Sequence, residues 1–279
     1  MTNDLSSEPD RRNSLLTCEV HVWYVLTDKI TSPDLLGRYR SILSDDERER
    51  NDRYIFEKDR RLGLVSRALA RWTLSQYRDI KPAAWEFVEN RYGRPELATT
   101  FSPDLSHADA RKQPRSLSVV TGQCPCDAPL RFNLTHTAGL VACAVTETCD
   151  TGVDAENVAR RPFDWQTIAQ RNFAPREIEQ IQALPLEVQK AAFFQFWTLK
   201  EAYIKACGMG LSLPLDAFAF ELRPGSRPSV SFEPPLYEDP YAWQFASFSP
   251  TADHKLAVAV RKGDRPDLSV ILRETVPLP

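Results

Sequence analysis

Glycine is scarce in this 279-residue chain, with 10 against 21 prolines, where average usage is about 7% Gly and about 5% Pro. None of the ten fits G-x-G-x-x-G, and none precedes the Lys-Ser/Thr pair that a phosphate-cradling P-loop requires. A nucleotide bound here is therefore held without a glycine cradle. Histidine is scarcer still, and His21, His107, His136 and His254 lie far apart. That excludes an H-E-x-x-H zinc motif and a histidine-rich cluster, so any metal is expected among oxygen ligands. The six cysteines form no C-x-x-C and no even spacing; Cys124-Pro-Cys126 included, they read as incidental thiols of a reducing compartment. An excess of either charge is also missing: 35 basic and 38 acidic residues leave a formal net of −3, which argues against nucleic acid as the main partner. No run of ~18 apolar residues occurs, and the N-terminal stretch is polar, so neither a membrane span nor a signal peptide is expected and the cytoplasm is the expected location.

At ~150 residues per domain the length suits two domains, and a division into residues 1–150 and 151–279 is expected. A strand is read at Glu19–Leu26, a helix opens after Ser32, and one long helical pattern runs from Ser44 to Arg71 behind a Ser44–Glu47 capping box. A strand at Trp85–Glu89 leads to a turn at Asn90–Pro95, and residues 102–130 read as a long surface loop. Strands at Arg131–His136 and Leu140–Val145 follow, and Gly152–Asn157 reads as a strand end. Helices are expected at 164–172, 175–183 and 186–206, then strands at 218–222, 243–248 and 256–260. Thr135–Val145 echoes Thr251–Val260, and in each half a long helix precedes two strands, so the expected fold is α+β: a pseudodimer of two similar lobes, each a small antiparallel sheet packed with a long helix.

Two segments carry chemistry. On an extended chain the period of two puts Asp154 and Glu156 on one face, where two carboxylates repel unless a divalent cation lies between them. In FWTLKEAYIKACG, Trp197, Glu201 and Lys205 share a helical face while Lys200 sits one step round. An i,i+4 Glu–Lys surface pair is the plain reading. The surrounding Phe193, Phe194, Phe196 and Tyr203 argue instead for a sequestered cluster in which Glu201 supplies a third metal oxygen and the lysines meet phosphate. His136, flanked by Thr135 and Thr137, is either a structural histidine or a phosphate contact. Arg94 sits in a constrained turn. The Arg-rich stretch, with Arg50, Arg53, Arg60, Arg61 and Arg67, is a solvated face or an anion site.

The combination of GVDAEN with FWTLKEAYIKACGMGLSLPL some forty residues later resembles the two signature motifs of the 4′-phosphopantetheinyl transferases, in the larger surfactin-synthetase-type branch. EKDRRLGLVSRALAR, YGRP and FNLTHT match supporting segments in order, so the resemblance covers most of residues 40–222. It implies that the enzyme binds coenzyme A and Mg²⁺ between its lobes and moves the phosphopantetheine arm to a serine of a carrier protein, releasing adenosine 3′,5′-bisphosphate. Carried over by position, Asp154, Glu156 and Glu201 hold the metal; Glu201 and Lys205 are catalytic, with Glu201 or a water accepting the serine proton. Arg50, Arg61, Arg94, Thr135, His136, Asp154, Lys200 and Lys205 contact the coenzyme. Arg94 stands where the family has lysine and Thr135 where it has serine, while Glu47 falls near a position that is basic in relatives. The carrier is expected near Asn172–Arg176 and Ile178–Ile181, and the enzyme as a monomer. Two alternatives remain: a carboxylate-metal phosphodiesterase acting on coenzyme A or nucleotides, and a non-catalytic binding module.

Overall fold

The computed structural model describes residues 18–98, 128–159, 163–210 and 213–278. Most of the expected 102–130 loop, with Cys124 and Cys126, lies outside these residues, as does His107. In the first half β1 (Glu19–Leu26) is followed by α1 (Pro33–Ser41), α2 (Asp45–Asp52) and α3 (Glu57–Leu74), a short hairpin β2 (Phe87–Glu89) and β3 (Pro95–Leu97), and the pair β4 (Leu130–Thr137) and β5 (Leu140–Glu147). The second half repeats the order: β6 (Asp150–Asn157), α4 (Trp165–Asn172), α5 (Pro175–Gln182) and α6 (Leu186–Cys207), a short hairpin β7 (Phe218–Glu221) and β8 (Ser229–Phe232), and the pair β9 (Trp243–Thr251) and β10 (His254–Arg261).

The two sheets share one pattern. With the final strand β11 (Ser269–Glu274), the first runs β11-β1-β5-β4 and the second β6-β10-β9, and β1 and β6 pair antiparallel with β5 and β10. The expected echo falls on the two equivalent hairpins. Along β5 alternate residues serve two cores: Val141, Cys143 and Val145 meet α3, while Leu140, Ala142 and Ala144 meet Val153, Ala155, Leu256 and Val258 of the other sheet. The sheets thus pack face to face, and each carries its long helix outside.

Two expectations are corrected and one is met. The 44–71 pattern is two helices: α2 (DDERERND) has no apolar stripe to extend, and the recurrence of Leu62, Val65, Leu69 and Trp72 belongs to α3 alone. Gly152–Asn157, read as a strand end, is the last six residues of β6. A final strand, β11 (Ser269–Glu274), pairs parallel with β1, so the chain end returns to the first lobe across the expected boundary at residue 150.

Candidate active site

The seam between β4, at the edge of the first sheet, and β6, at the edge of the second, organises the site. No backbone ladder joins these strands. Instead side chains at every second position of β4 accept the outward N–H groups of β6: Asn133 Oδ1 from Val153 (3.0 Å), Thr135 Oγ1 from Ala155 (3.2 Å) and Thr137 Oγ1 from Asn157 (3.2 Å). This satisfies an exposed strand edge and sets Thr135 beside Asp154, to whose Oδ1 its hydroxyl donates at 3.2 Å.

Helix α6 closes over the same strand because residue 152 is glycine. A Cβ there would stand 2.0 Å from the Ala202 carbonyl oxygen and 2.4 Å from the Ala206 nitrogen, both backbone atoms that cannot swing aside. Gly152, Asp154 and Glu156 share the α6 face of β6, so the close approach at Gly152 lays Glu201 and Lys205 over the acids. Lys205 Nζ reaches Asp154 Oδ1 at 2.6 Å and also donates to Thr135 Oγ1 and the Val153 carbonyl, each at 3.2 Å. Asp154 is 6% exposed, and its Oδ2 is buried with no hydrogen-bond partner among the described residues. Burial, followed by the negative charge of Asp154, raises the Glu201 carboxyl above the usual range, against the pull of Lys205. His136 projects to the exposed end of β4, and its imidazole is lowered by desolvation and then by the positive charges of Lys205 and Arg67. His136 thus stands within electrostatic reach of both α3 and α6, beside the β4–β6 seam.

Of the expected residues, the structure brings together Thr135, His136, Asp154, Glu201 and Lys205, with Glu156 two residues further along the same face of β6. Among the described residues no group of three His, Cys, Asp or Glu side chains is positioned to hold a metal ion. The donor set still fits Mg²⁺, which takes one or two carboxylates and completes its shell with waters and substrate phosphates. The unpartnered Asp154 oxygen and the repulsion recorded at Glu201 are what a cation would relieve.

Other residues stand elsewhere. Lys200 is no phosphate contact: it is fully buried on the opposite side of α6, bonded to Glu177 and to two carbonyls. The helix is apolar nearly all round, so periodicity gave no indication of which way this lysine turns. Arg94 donates to the Ala206 carbonyl at 3.1 Å while Asn90 donates to the Gly208 carbonyl at 3.2 Å, so the β2–β3 turn caps the C-terminus of α6. Arg50 is exposed and paired with Glu89 at 2.6 Å. Arg61 is half-buried on α3 and forms no ion pair among the described residues. Phe173 and Ile181, expected at a docking surface, are core residues; Phe173 stacks on Phe193 at 5.3 Å. Arg67, which acts on His136 from α3, did not stand out from its arginine-rich neighbours; its spacing of four and eight residues from Gly63 and Asp59 on one helical face was the available signal.

No helix among the described residues is long and apolar enough to cross a membrane. A family model described as "4′-phosphopantetheinyl transferase superfamily" matches residues 150–259, and one described as "4′-phosphopantetheinyl transferase, N-terminal" matches residues 32–112. The chain is 31% identical over 247 residues to the 4′-phosphopantetheinyl transferase HetI of Nostoc, an alignment spanning 88% of this chain and 90% of that protein. It is 26% identical over 246 residues to the 4′-phosphopantetheinyl transferase Sfp of Bacillus subtilis, spanning 88% and 94%. Among solved structures, the Thermotoga maritima holo-[acyl-carrier-protein] synthase aligns over 42% of this chain and 64% of that one, at 19% identity and a TM-score of 0.34. With a relative above 30% identity aligned along nearly the whole chain, and family models matching in both halves, this chain belongs to the 4′-phosphopantetheinyl transferase superfamily.

Proposed function

We propose that the cleft binds coenzyme A with Mg²⁺ and passes the 4′-phosphopantetheine arm to a serine hydroxyl of an apo acyl or peptidyl carrier protein, leaving adenosine 3′,5′-bisphosphate. The observation that carries this reading is the buried, unpartnered Asp154 Oδ2 next to Glu201 and Lys205. Asp154, Glu156 and Glu201 would hold the metal directly or through its retained waters, and the ion would supply charge neutralisation on the pyrophosphate and the leaving bisphosphate. Lys205 has a second task. It neutralises Asp154 in the free enzyme and offers its ammonium to a phosphate oxygen bound beside that carboxylate.

Glu201, or a water it orients, takes the proton of the carrier serine as the new P–O bond forms and the bond to the leaving bisphosphate breaks. His136, Thr135 and Arg67 line the phosphate side of the cleft, with Arg61 and Arg50 further out. Arg94 holds the end of α6 and so acts on the site through that helix. The carrier meets the outward side of α5, where Arg176 and Glu179 are exposed, and the enzyme works as a cytoplasmic monomer.

Mass spectrometry of an apo carrier incubated with coenzyme A, Mg²⁺ and this protein tests the reading. The expected result is a gain of one phosphopantetheine that disappears with Glu201→Gln; no gain on any carrier overturns it. A hydrolase would instead consume coenzyme A with no carrier present.

A further inference from the structure

Lys200 and Glu177 form a fully buried ion pair, with both side chains 0% exposed and Nζ 2.8 Å from Glu177 Oε2. Every polar atom of the pair is engaged. The ammonium has three protons, and its partners are Glu177, the Leu215 carbonyl at 2.7 Å and the Phe218 carbonyl at 2.7 Å. Glu177 also accepts from Ala174 N through Oε2 and from Phe220 N through Oε1, each at 2.9 Å. One cluster thereby ties the first turn of α5, the strand β7 and the middle of α6. The Lys200 ammonium also lies over the Phe218 ring, 4.3 Å from its centroid.

A buried pair of this kind is weak evidence for stability, because desolvation offsets most of the attraction, and its value lies elsewhere. Hydrogen bonds running from one side chain to two separate segments, α5 and Leu215–Phe218 at the start of β7, fix the rotation of a helix about its own axis, which apolar packing alone does not. The residue after Lys200 is Glu201, about 100° further round the helix. On the other side, the backbone of Ala202 and Ala206 rests on Gly152. Helix α6 is thus held between a glycine contact and a charged clamp, and Glu201 projects between them.

We propose that Glu177 and Lys200 are positioning residues that set the rotation of α6 and with it the Glu201 carboxylate; this rests on the role given to Glu201 above. At a radius of about 6 Å, a helix rotation of about 10° carries a side chain by about 1 Å. A misplacement of that size can cost about 10²-fold in rate.

The first lobe supplies an internal control. Glu47, the third residue of α2, closes a capping box with Ser44 and pairs with the buried Arg71 of α3 at 2.7 Å, and Arg71 donates to the Pro82 and Trp85 carbonyls ahead of β2. The architecture matches that of Glu177 and Lys200, but α3 carries none of the proposed metal ligands.

The test compares Lys200→Met, Glu177→Gln, the double variant Glu177→Gln/Lys200→Met, Glu47→Gln and Glu201→Gln. For each, Tm, metal-free coenzyme A binding by calorimetry, and kcat at saturating coenzyme A, Mg²⁺ and carrier are measured at a temperature where every variant used is folded. The double variant, which removes both charges, is expected to regain most of the Tm lost by Lys200→Met while kcat stays 10- to 100-fold down and metal-free coenzyme A affinity changes less than about twofold. Glu47→Gln is expected to lower Tm and keep kcat per folded molecule within about twofold of the parent. Recovery of kcat together with Tm in the double variant, or an equal kcat loss in Glu47→Gln, would overturn the positioning role. An active Glu201→Gln would instead overturn the underlying assignment of Glu201, whatever the clamp variants do.

Discussion

At matching positions the two lobes carry opposite chemistry. Pairing β1 with β5 places Trp23 opposite Cys143, and pairing β6 with β10 places Asp154 opposite Ala257; counted from their hairpin turns, these are the same position. The residue after the buried cation of the long helix is Trp72 in α3 and Glu201 in α6. Where the second lobe sets Glu201 over Asp154, the first sets Trp72 edge-on against Trp23 at 5.2 Å. Where the second lobe has Gly152, the first has His21, bonded through Nδ1 to the Tyr77 hydroxyl at 2.7 Å, and Trp23 Nε1 donates to the same hydroxyl at 2.6 Å. One scaffold thus builds an aromatic plug in one place and a charged cleft in the other, so the chemistry resides in three positions and not in the fold unit.

Several changes would break this contrast. Glu201→Gln should lower kcat/KM about 10³-fold, as read by mass spectrometry of the carrier. Burial and Asp154 raise the Glu201 pKa, so the folded state favours the protonated form; stability from this group is full below the ordinary Glu value and is lost as pH rises through the folded-state pKa. Glu201→Gln should therefore raise Tm in metal-free buffer near neutrality even as activity is lost. In the parent enzyme, added Mg²⁺ should move the acid limb of kcat/KM to lower pH, because metal and proton compete for one carboxylate. A limb that ignores Mg²⁺ concentration would remove Glu201 from the metal site.

Gly152→Ala should cost about 10²-fold in kcat, since the new methyl can be housed only by moving α6 away from the acids; its overpacking penalty of about 1–3 kcal/mol would appear in denaturant titration. Arg67→Ala should raise the KM for coenzyme A about tenfold, and Arg50→Ala about threefold with Tm unchanged, because its pair with Glu89 is exposed. On the aromatic side, Trp72→Ala should destabilise by about 2 kcal/mol, less than a full core truncation because the ring is half-buried, and leave kcat per folded molecule unchanged.

Much of this was legible in the sequence, for identifiable reasons. Asp154 and Glu156 follow the strand period, and Glu201 and Lys205 the helix period, so the local code already placed each pair on one face. The two-lobe plan showed in the hairpin echo. Lys200 was misplaced because a helix with Phe193, Phe194, Phe196 and Leu199 all buried has no polar face from which to judge direction. Strand β11 was missed because its partner β1 lies some 250 residues away in sequence, and parallel pairing leaves no hairpin turn to signal it. The close approach of Gly152 to α6 is a tertiary contact that no local pattern encodes.

The ladder of Asn133, Thr135 and Thr137 makes the joint between the lobes a zip whose teeth stand two residues apart, about 6.8 Å along the strand. Such a joint has no small slip available to it: the lobes either mesh in this register or disengage by a whole tooth, which would carry Asp154 away from Thr135. The gauge of the cleft is thereby quantised, and the enzyme keeps one fixed span for its substrate through side chains alone at this seam.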